Sequence, residues 1–374
     1  MKAYLDNAAT TRISDEVLQS MKAYLMQAFG NASSVYRSGR ISKQAIEAAR
    51  KRIAQSINAQ PEEIYFTSGG SESDNTAIKG IVSAGNKKQI ITSVIEHPAV
   101  LQTCSYLEKF GYTIVRVPVN QEGIVDPADV EKSITSDTAL ISIMTANNEI
   151  GTIQPVEEIG RIAFRNGIPF HTDAVQAIGA VPVDVQEMGV DMLSLSGHKI
   201  HAPKGIGALY IRYGLKIDPL IHGGGQEHGM RSGTENVAGI VALGTAVEIS
   251  NVNLQANTEH KERLRNTLLQ GIRELNVPFR INGSLENRLS GNLNVSFPES
   301  KTRNLVMYMD YKGIACSSGS ACSANSQKSS YVLKAIGCSE KEAVNSLRFS
   351  VGDDTTEDEI QYTLDILKQA LTGE

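Results

Sequence analysis

A chain of 374 residues with 41% hydrophobic and 21% charged side chains can bury a large core, and at roughly 100 to 200 residues per domain it should form two lobes. Thirty-six basic against 41 acidic residues leave a net charge of -5, which offers no overall attraction to nucleic acid or anionic lipid. The start lacks the basic and apolar regions of a signal peptide, no run of about 18 apolar residues occurs, and four cysteines cannot build a disulfide framework in this length. A cytoplasmic chain with reduced thiols, no membrane contact and no direct nucleic-acid binding is expected.

In chain order, Ser14 can cap a helix on which Val17, Met21 and Leu25 recur every four residues. A second helix is expected from about Ser38, with Ile41, Ala45, Ala49, Ile53 and Ile57 on its inner face. Apolar runs at 64–67, 90–95, 113–119, 139–144, 168–172, 192–195 and 208–211 then alternate with helical patterns. That alternation predicts an α/β fold with a mostly parallel sheet covered by helices, and ligands beyond the carboxyl ends of its strands. Residues 237–249 read as a buried helix. Past them, a charged helix over 259–274 and strands near 279–282, 293–297 and 347–351 predict a smaller α+β domain. It closes with a helix capped by Thr356 that carries Ile360, Leu364, Leu367 and Leu371 on one stripe. The expected division is a large cofactor-binding domain over 15–250 and a small domain made of 1–14 and 251–374. A loop at about 317–330, rich in Ser, Gly, Ala and Asn, is expected to be mobile.

Lys199 follows the run ending at Leu195, and Asp173 ends the preceding one. A single lysine is usually a solvated surface group. One crossover helix fits between these two positions, so both can face one cavity. An amine that forms an imine and a carboxylate that keeps a pyridine nitrogen protonated are what pyridoxal phosphate requires of a protein. Gly69, Gly70 and Ser71 open a helix and can receive the phosphate, although a glycine–serine start is commonly only a cap; Ser196 and His198 can add donors. His97 precedes Pro98 and either caps a helix or stacks on a flat cofactor and relays protons. Arg348 alternates with Leu347 and Phe349, facing either solvent or an interdomain cleft where its fork would grip a carboxylate. Among the cysteines, Cys104 reads as core and Cys316 as inert. Cys338 sits at a helix start that would favour its thiolate. Cys322, in a polar flexible stretch, is suited to carrying a group from one place to another. No paired Cys-x-x-Cys spacing suggests a metal.

With Tyr4-Leu5-Asp6-Asn7-Ala8-Ala9-Thr10-Thr11, Glu72-Ser73-Asp74-Asn75, Glu96-His97, Asn147-Asn148-Glu149, Asp173 with Gln176, Ser196-Gly197-His198-Lys199, Arg231 to Asn236 and Ser317 to Cys322, the chain resembles the cysteine desulfurases of the IscS/NifS type. These lie in the class V aminotransferase group of fold-type I pyridoxal-phosphate enzymes. The resemblance implies a homodimer that converts L-cysteine to L-alanine and a persulfide for a sulfur-acceptor protein, either an iron–sulfur cluster scaffold or a tRNA or cofactor thiolation enzyme. Carried over by position, Lys199 holds the cofactor, Asp173 pairs with its ring nitrogen, Gln176 touches its hydroxyl and His97 stacks on its face. Gly70, Ser71, Ser196, His198 and Thr234 of the other subunit bind its phosphate. Asn148 and Arg348 hold the substrate carboxylate, and Cys322 becomes the persulfide.

Asn31-Ala32-Ser33-Ser34 lacks a proline common at that place, Tyr36 stands where histidine is frequent, and His228 stands where arginine is usual. The chain ends at Glu374, where iron–sulfur housekeeping members carry a longer docking tail, and the long loop around Cys322 favours direct transfer over dependence on an activator. A selenocysteine lyase, another class V lyase or an aminotransferase would share the cofactor but not the need for Cys322. A catalytically silent scaffold would keep the fold alone.

Overall fold

The computed structural model describes residues 2–302, 304–318 and 329–373. Ser14 accepts the Val17 N–H and starts helix Asp15–Met26, followed by helix Arg37–Ser56. Both pack on the buried helix Val237–Val252. Strict four-residue spacing drifts by about 40° per step around a helix of 3.6 residues per turn. Thus Val17 is buried but Leu25 is 59% exposed, and the second helix buries Ile46, Ala49 and Ile53 while Ile41 faces outward. Among the described residues no single helix is long and apolar enough to cross a membrane.

The apolar runs become a seven-stranded sheet in the order Ile64–Thr67, Gly207–Ile211, Met192–Ser196, Phe170–Asp173, Thr138–Ser142, Gln89–Ser93 and Thr113–Val117. Gly207–Ile211 runs antiparallel to both neighbours, and all the others share one direction. Helices cover both faces, so inner strands such as Gln89–Ser93 and Met192–Ser196 are buried at every position. The core on one face includes Ile53, Phe66, Phe170, Leu193 and Leu243, and on the other Ile78, Ile90, Leu140 and Leu209. This is the α/β architecture expected from the alternation.

Beyond residue 253, strands Ser346–Ser350, Asn292–Ser296 and Arg280–Asn282 form an antiparallel sheet. Ala3–Tyr4 returns from the N-terminus to pair in parallel with Ile314–Ala315. Helices Leu254–Glu274 and Glu357–Thr372 close over these strands around Leu5, Leu268, Phe349 and Leu367. Thr356 and Glu359 cap the last helix reciprocally.

Gly207 joins two loops of the large sheet. A Cβ there would meet the Leu195 carbonyl oxygen at 2.6 Å and the Gly69 Cα at 2.7 Å, so only glycine lets the turn after strand Ile64–Thr67 lie against the strand that leads to Lys199. Gly207→Ala is therefore expected to force these backbones apart and lower stability by about 1 to 3 kcal/mol, read as a fall in the urea-unfolding midpoint.

Candidate active site

Because nearly every strand of the large sheet points the same way, their carboxyl ends and following turns converge on one edge. A cavity of about 780 Å³ opens there, lined by Gly70, Ser71, His97, Asn148, Asp173, Gln176, Ser196, His198, Lys199 and Arg348, together with Asp74. The sequence named all of these except Asp74 for the site. Thr234 is exposed and lies outside this cavity. Cys322 lies outside the described residues, as does most of the loop expected at 317–330.

Asp173 ends its strand buried, and its Oδ1 accepts the Val175 N–H at 2.9 Å. Burial pushes its carboxyl above the ordinary value, with His97, the Val175 N–H and the Lys199 ammonium pulling the other way. Lys199 ends a short 3-10 turn, Gly197–Lys199, and its Nζ donates to the Ala8 and Ala9 carbonyls at 2.6 and 2.8 Å. Gln176 Nε2 donates to the same Ala8 carbonyl at 3.0 Å. The helix Gly70–Ala84 starts at the cavity wall, where a Cβ on Gly70 would meet Val175 Cγ2 at 2.6 Å, leaving its first amides open to an anion.

His97 caps the helix that follows it and also lines the cavity. Its Nδ1 accepts the Ala99 N–H at 3.1 Å, capping helix Pro98–Glu108, while the ring lines the cavity. An occupied Nδ1 acceptor leaves the proton of the neutral ring on Nε2. Burial lowers its pKa and Lys199 lowers it further, against the pull of Asp173, so the neutral ring is favoured. His198 is drawn down to about 4 by burial and by Lys199, Lys204 and His97. Its Nδ1 faces Thr10 Oγ1 at 3.2 Å.

Arg348 is 1% exposed, which removes the solvent-facing alternative. Its side chain donates to the Asn148 carbonyl at 2.9 Å and to Asp6 Oδ1 at 2.6 Å. Its Nε is buried without a hydrogen-bond partner among the described residues. The described thiols are all buried. Burial raises Cys104 and Cys316 to about 12, with Glu96 and Asp6 respectively adding to it. For Cys338 the expected thiolate is corrected: although it precedes the cap Ser339, its Sγ is buried against Asn282 Oδ1 at 3.3 Å, and burial raises rather than lowers its pKa.

Sequence reasoning quoted Asp6, Asp74 and Glu96 within motifs without giving them roles. Asp74 is 1% exposed, and its Oδ1 lacks a hydrogen-bond partner among the described residues. Asp74, His97 and Asp173 each bring an atom within 4.8 Å of the others. Burial, joined by the charge of Asp173, pushes Asp74 well above the ordinary carboxylate range. Burial likewise raises Glu96 to about 8, despite hydrogen bonds from Ser93 and the Met144 N–H. The available signal for Asp74 was a carboxylate beside Ala77 and Ile78 on the inner face of its helix.

These residues fit pyridoxal phosphate. Lys199 offers a primary amine, Asp173 a buried carboxyl for a ring nitrogen, and Gly70, Ser71, Ser196 and His198 a donor cluster at a helix start for a phosphate. Asp74, whose Oδ1 is buried without a hydrogen-bond partner among the described residues, and Arg348 make the wall of this cavity polar and charged.

The model of the family described as aminotransferase class V matches residues 3–363. A cysteine desulfurase IscS of Dictyoglomus turgidum is 48% identical over 372 residues, covering 99% of this chain and 94% of that one. The cysteine desulfurase IscS of Methanosarcina thermophila is 49% identical over 369 residues, with 98% and 91% covered. Among solved structures, a NifS-like protein superposes with a TM-score of 0.94 at 40% identity over 100% of both chains. SspA in complex with cysteine superposes with a TM-score of 0.82 at 40% identity, covering 95% of this chain and 100% of that one.

Two residues after Lys199, His201 adopts a left-handed backbone (φ 65) and sets its Nε2 3.3 Å from Asp353 Oδ2. Lys261 Nζ and Asn257 Nδ2 hold the same carboxylate at 3.0 and 2.8 Å. Burial opposes ionisation of Asp353, but His201 and Lys261 overcome it and bring the carboxyl to about 2. Burial opposes charge on His201 too, and Asp353 outweighs it to raise the imidazole. The depressed Asp353 therefore stabilises fully above about pH 4 and ceases to do so as pH falls through about 2. The raised His201 stabilises fully below about pH 6 and ceases to do so as pH rises through its folded value. Asp353→Asn is expected to lower the urea midpoint most between those limits and to flatten its dependence on pH on both sides.

Proposed function

The chain belongs to the class V aminotransferase family and is a pyridoxal-phosphate-dependent cysteine desulfurase, and on that premise we propose which of its residues carry the reaction and where its sulfur goes. The observation that carries the assignment is the convergence of Lys199 and Asp173 on one cavity that also holds the Gly70 helix start. Lys199 attaches the cofactor covalently through Nζ and is released from the Ala8 and Ala9 carbonyls to move protons at the substrate. Asp173 keeps the ring-nitrogen proton in place, and Gln176 orients the ring through its hydroxyl. His97 lies against the ring face, with its Nε2–H as the proton it can give. Gly70, Ser71, Ser196 and His198 bind the phosphate, completed by Thr234 of the partner subunit in a homodimer. The exposure of Thr234 away from its own cavity supports that last role.

Asn148 and Arg348 hold the carboxylate of L-cysteine. When bound, the cofactor withdraws electrons from the substrate and eases cleavage of its carbon–sulfur bond. The Cys322 thiolate attacks the substrate sulfur, the electron pair of the breaking bond returns to carbon, and protonation there completes L-alanine while the sulfur stays on Cys322 as a persulfide. Support for Cys322 comes by elimination: the chain has four cysteines, and the other three are buried thiols with raised pKa values. The persulfide is passed to an acceptor protein, an iron–sulfur scaffold or a thiolation enzyme, in the cytoplasm. In this scheme the large cofactor-binding domain spans 15–250, and 1–14 with 251–374 make the small domain that brings Arg348 and Cys322 to the site. The core group around Leu5, Leu268, Phe349 and Leu367 draws only on 1–14 and 251–374 and supports that division, while Ile95, Met144 and Ile150 pack against Val332 and Leu333 across it.

Lys199→Ala is expected to abolish the yellow absorbance of the covalently bound cofactor after reconstitution and dialysis. Cys322→Ala is expected to retain that absorbance and to release sulfide from L-cysteine only at background level. Normal sulfide release by the second variant would remove Cys322 as carrier and favour a lyase.

A further inference from the structure

Asp6 lies outside the cavity, yet its carboxylate is one of the groups that fix Arg348. Asp6 Oδ1 accepts from one terminal guanidinium nitrogen at 2.6 Å, and the Asn148 carbonyl accepts from the other at 2.9 Å. The second carboxylate oxygen is itself held, since Ser317 Oγ donates to Asp6 Oδ2 at 2.9 Å. Backbone pairing sets this arrangement. Strand Ser346–Ser350 uses one edge for Asn292–Ser296. Its other edge takes Asp6 in a parallel bridge at Ser350 and Ser317 in an antiparallel bridge at Arg348. Three distant segments therefore meet around one guanidinium, with Asp6 16% and Arg348 1% exposed at the side chain.

With one bond made by each terminal nitrogen, the guanidinium of Arg348 keeps a second N–H on each of them, and the side chain lines the cavity. A guanidinium presents its donors in a rigid planar fork, so fixing two of them also fixes the direction of the others. We propose that Asp6 is a positioning residue for substrate recognition, which locks Arg348 so that its remaining N–H donors are held in one orientation for the carboxylate of the amino-acid substrate. This rests on the reading that Arg348 binds that carboxylate. Preorganisation removes the cost of ordering a long side chain when the substrate arrives. It also gives selectivity for amino acids over thiol amines without a carboxylate. Asp6 touches neither the cavity nor the reacting atoms, so its effect belongs to binding rather than to bond cleavage.

The test uses reconstituted holoenzyme. It measures KM and kcat for L-cysteine and, separately, the dissociation constant of L-alanine from the absorbance change of the bound cofactor. Asp6→Ala is expected to raise both KM and the alanine constant by roughly tenfold or more, with kcat within about threefold and cofactor content unchanged. Asp6→Asn, which keeps an oxygen for the guanidinium, should stay within about threefold of the parent on both constants. Ser317→Ala, which frees the second carboxylate oxygen, should shift both in the same direction as Asp6→Ala by about two- to fivefold. It decides the matter if Asp6→Ala does not accumulate folded. Unchanged constants in Asp6→Ala, or a loss confined to kcat, would overturn the proposal. Arg348→Gln separates the two levels: unchanged alanine affinity there overturns the role of Arg348 itself, whereas weakened affinity there with a normal Asp6→Ala overturns the role of Asp6 alone.

Discussion

The shared direction of the strands in the large sheet is the constraint on which the rest depends. Every strand except Gly207–Ile211 delivers its carboxyl end to one edge, and the turns that follow carry Gly70, His97, Asn148, Gln176 and Lys199. The exception is equally necessary. Running against its neighbours, Gly207–Ile211 separates Ile64–Thr67 from Met192–Ser196 by one strand width, and Gly207 lets their end loops touch. The helix start at Gly70 and the amine of Lys199 are thereby set at a distance that backbone hydrogen bonds determine.

Charge then decides what this edge accepts. Asp74, Glu96 and Asp173 are buried close together, and burial raises all three. His171, on the strand of Asp173, is bracketed by Ser142 and Ser194 and pushed down to about 3 by burial. It therefore supplies no compensating positive charge at neutral pH. A protonated ring nitrogen brought against Asp173 would relieve this excess of acid, and a neutral ring would not. Opposite this wall, the segment from Asp6 to Ala9 touches Arg348, Gln176 and Lys199 through one carboxylate and two carbonyls. A short stretch of chain from the N-terminus thus links Arg348, from the small antiparallel sheet, with Gln176 and Lys199 at the edge of the large one.

How much of this was legible in the sequence follows from the range of the interactions involved. The strands match their apolar runs to within about two residues, because burial on both faces leaves a continuous signal. The helices were found through their caps at Ser14 and Thr356, but the exposed Leu25 and Ile41 show that a run of equal spacings overestimates the buried face. Cavity residues after strand ends were legible because topology alone places them. Asp6 was not, since its partner Arg348 lies 342 positions away and nothing local marks the pair. Cys338 misled because a helix start suggests a stabilised thiolate, whereas tertiary burial of the sulfur outweighs it.

Concealment of Cys104, Cys316 and Cys338 bears on how sulfur travels. Sulfane sulfur passes between thiols that can meet and ionise, and burial opposes both for these three. Among the described residues, a sulfur atom gained by this polypeptide therefore meets no open thiol to wander along, and its path has to run over the surface rather than through the core.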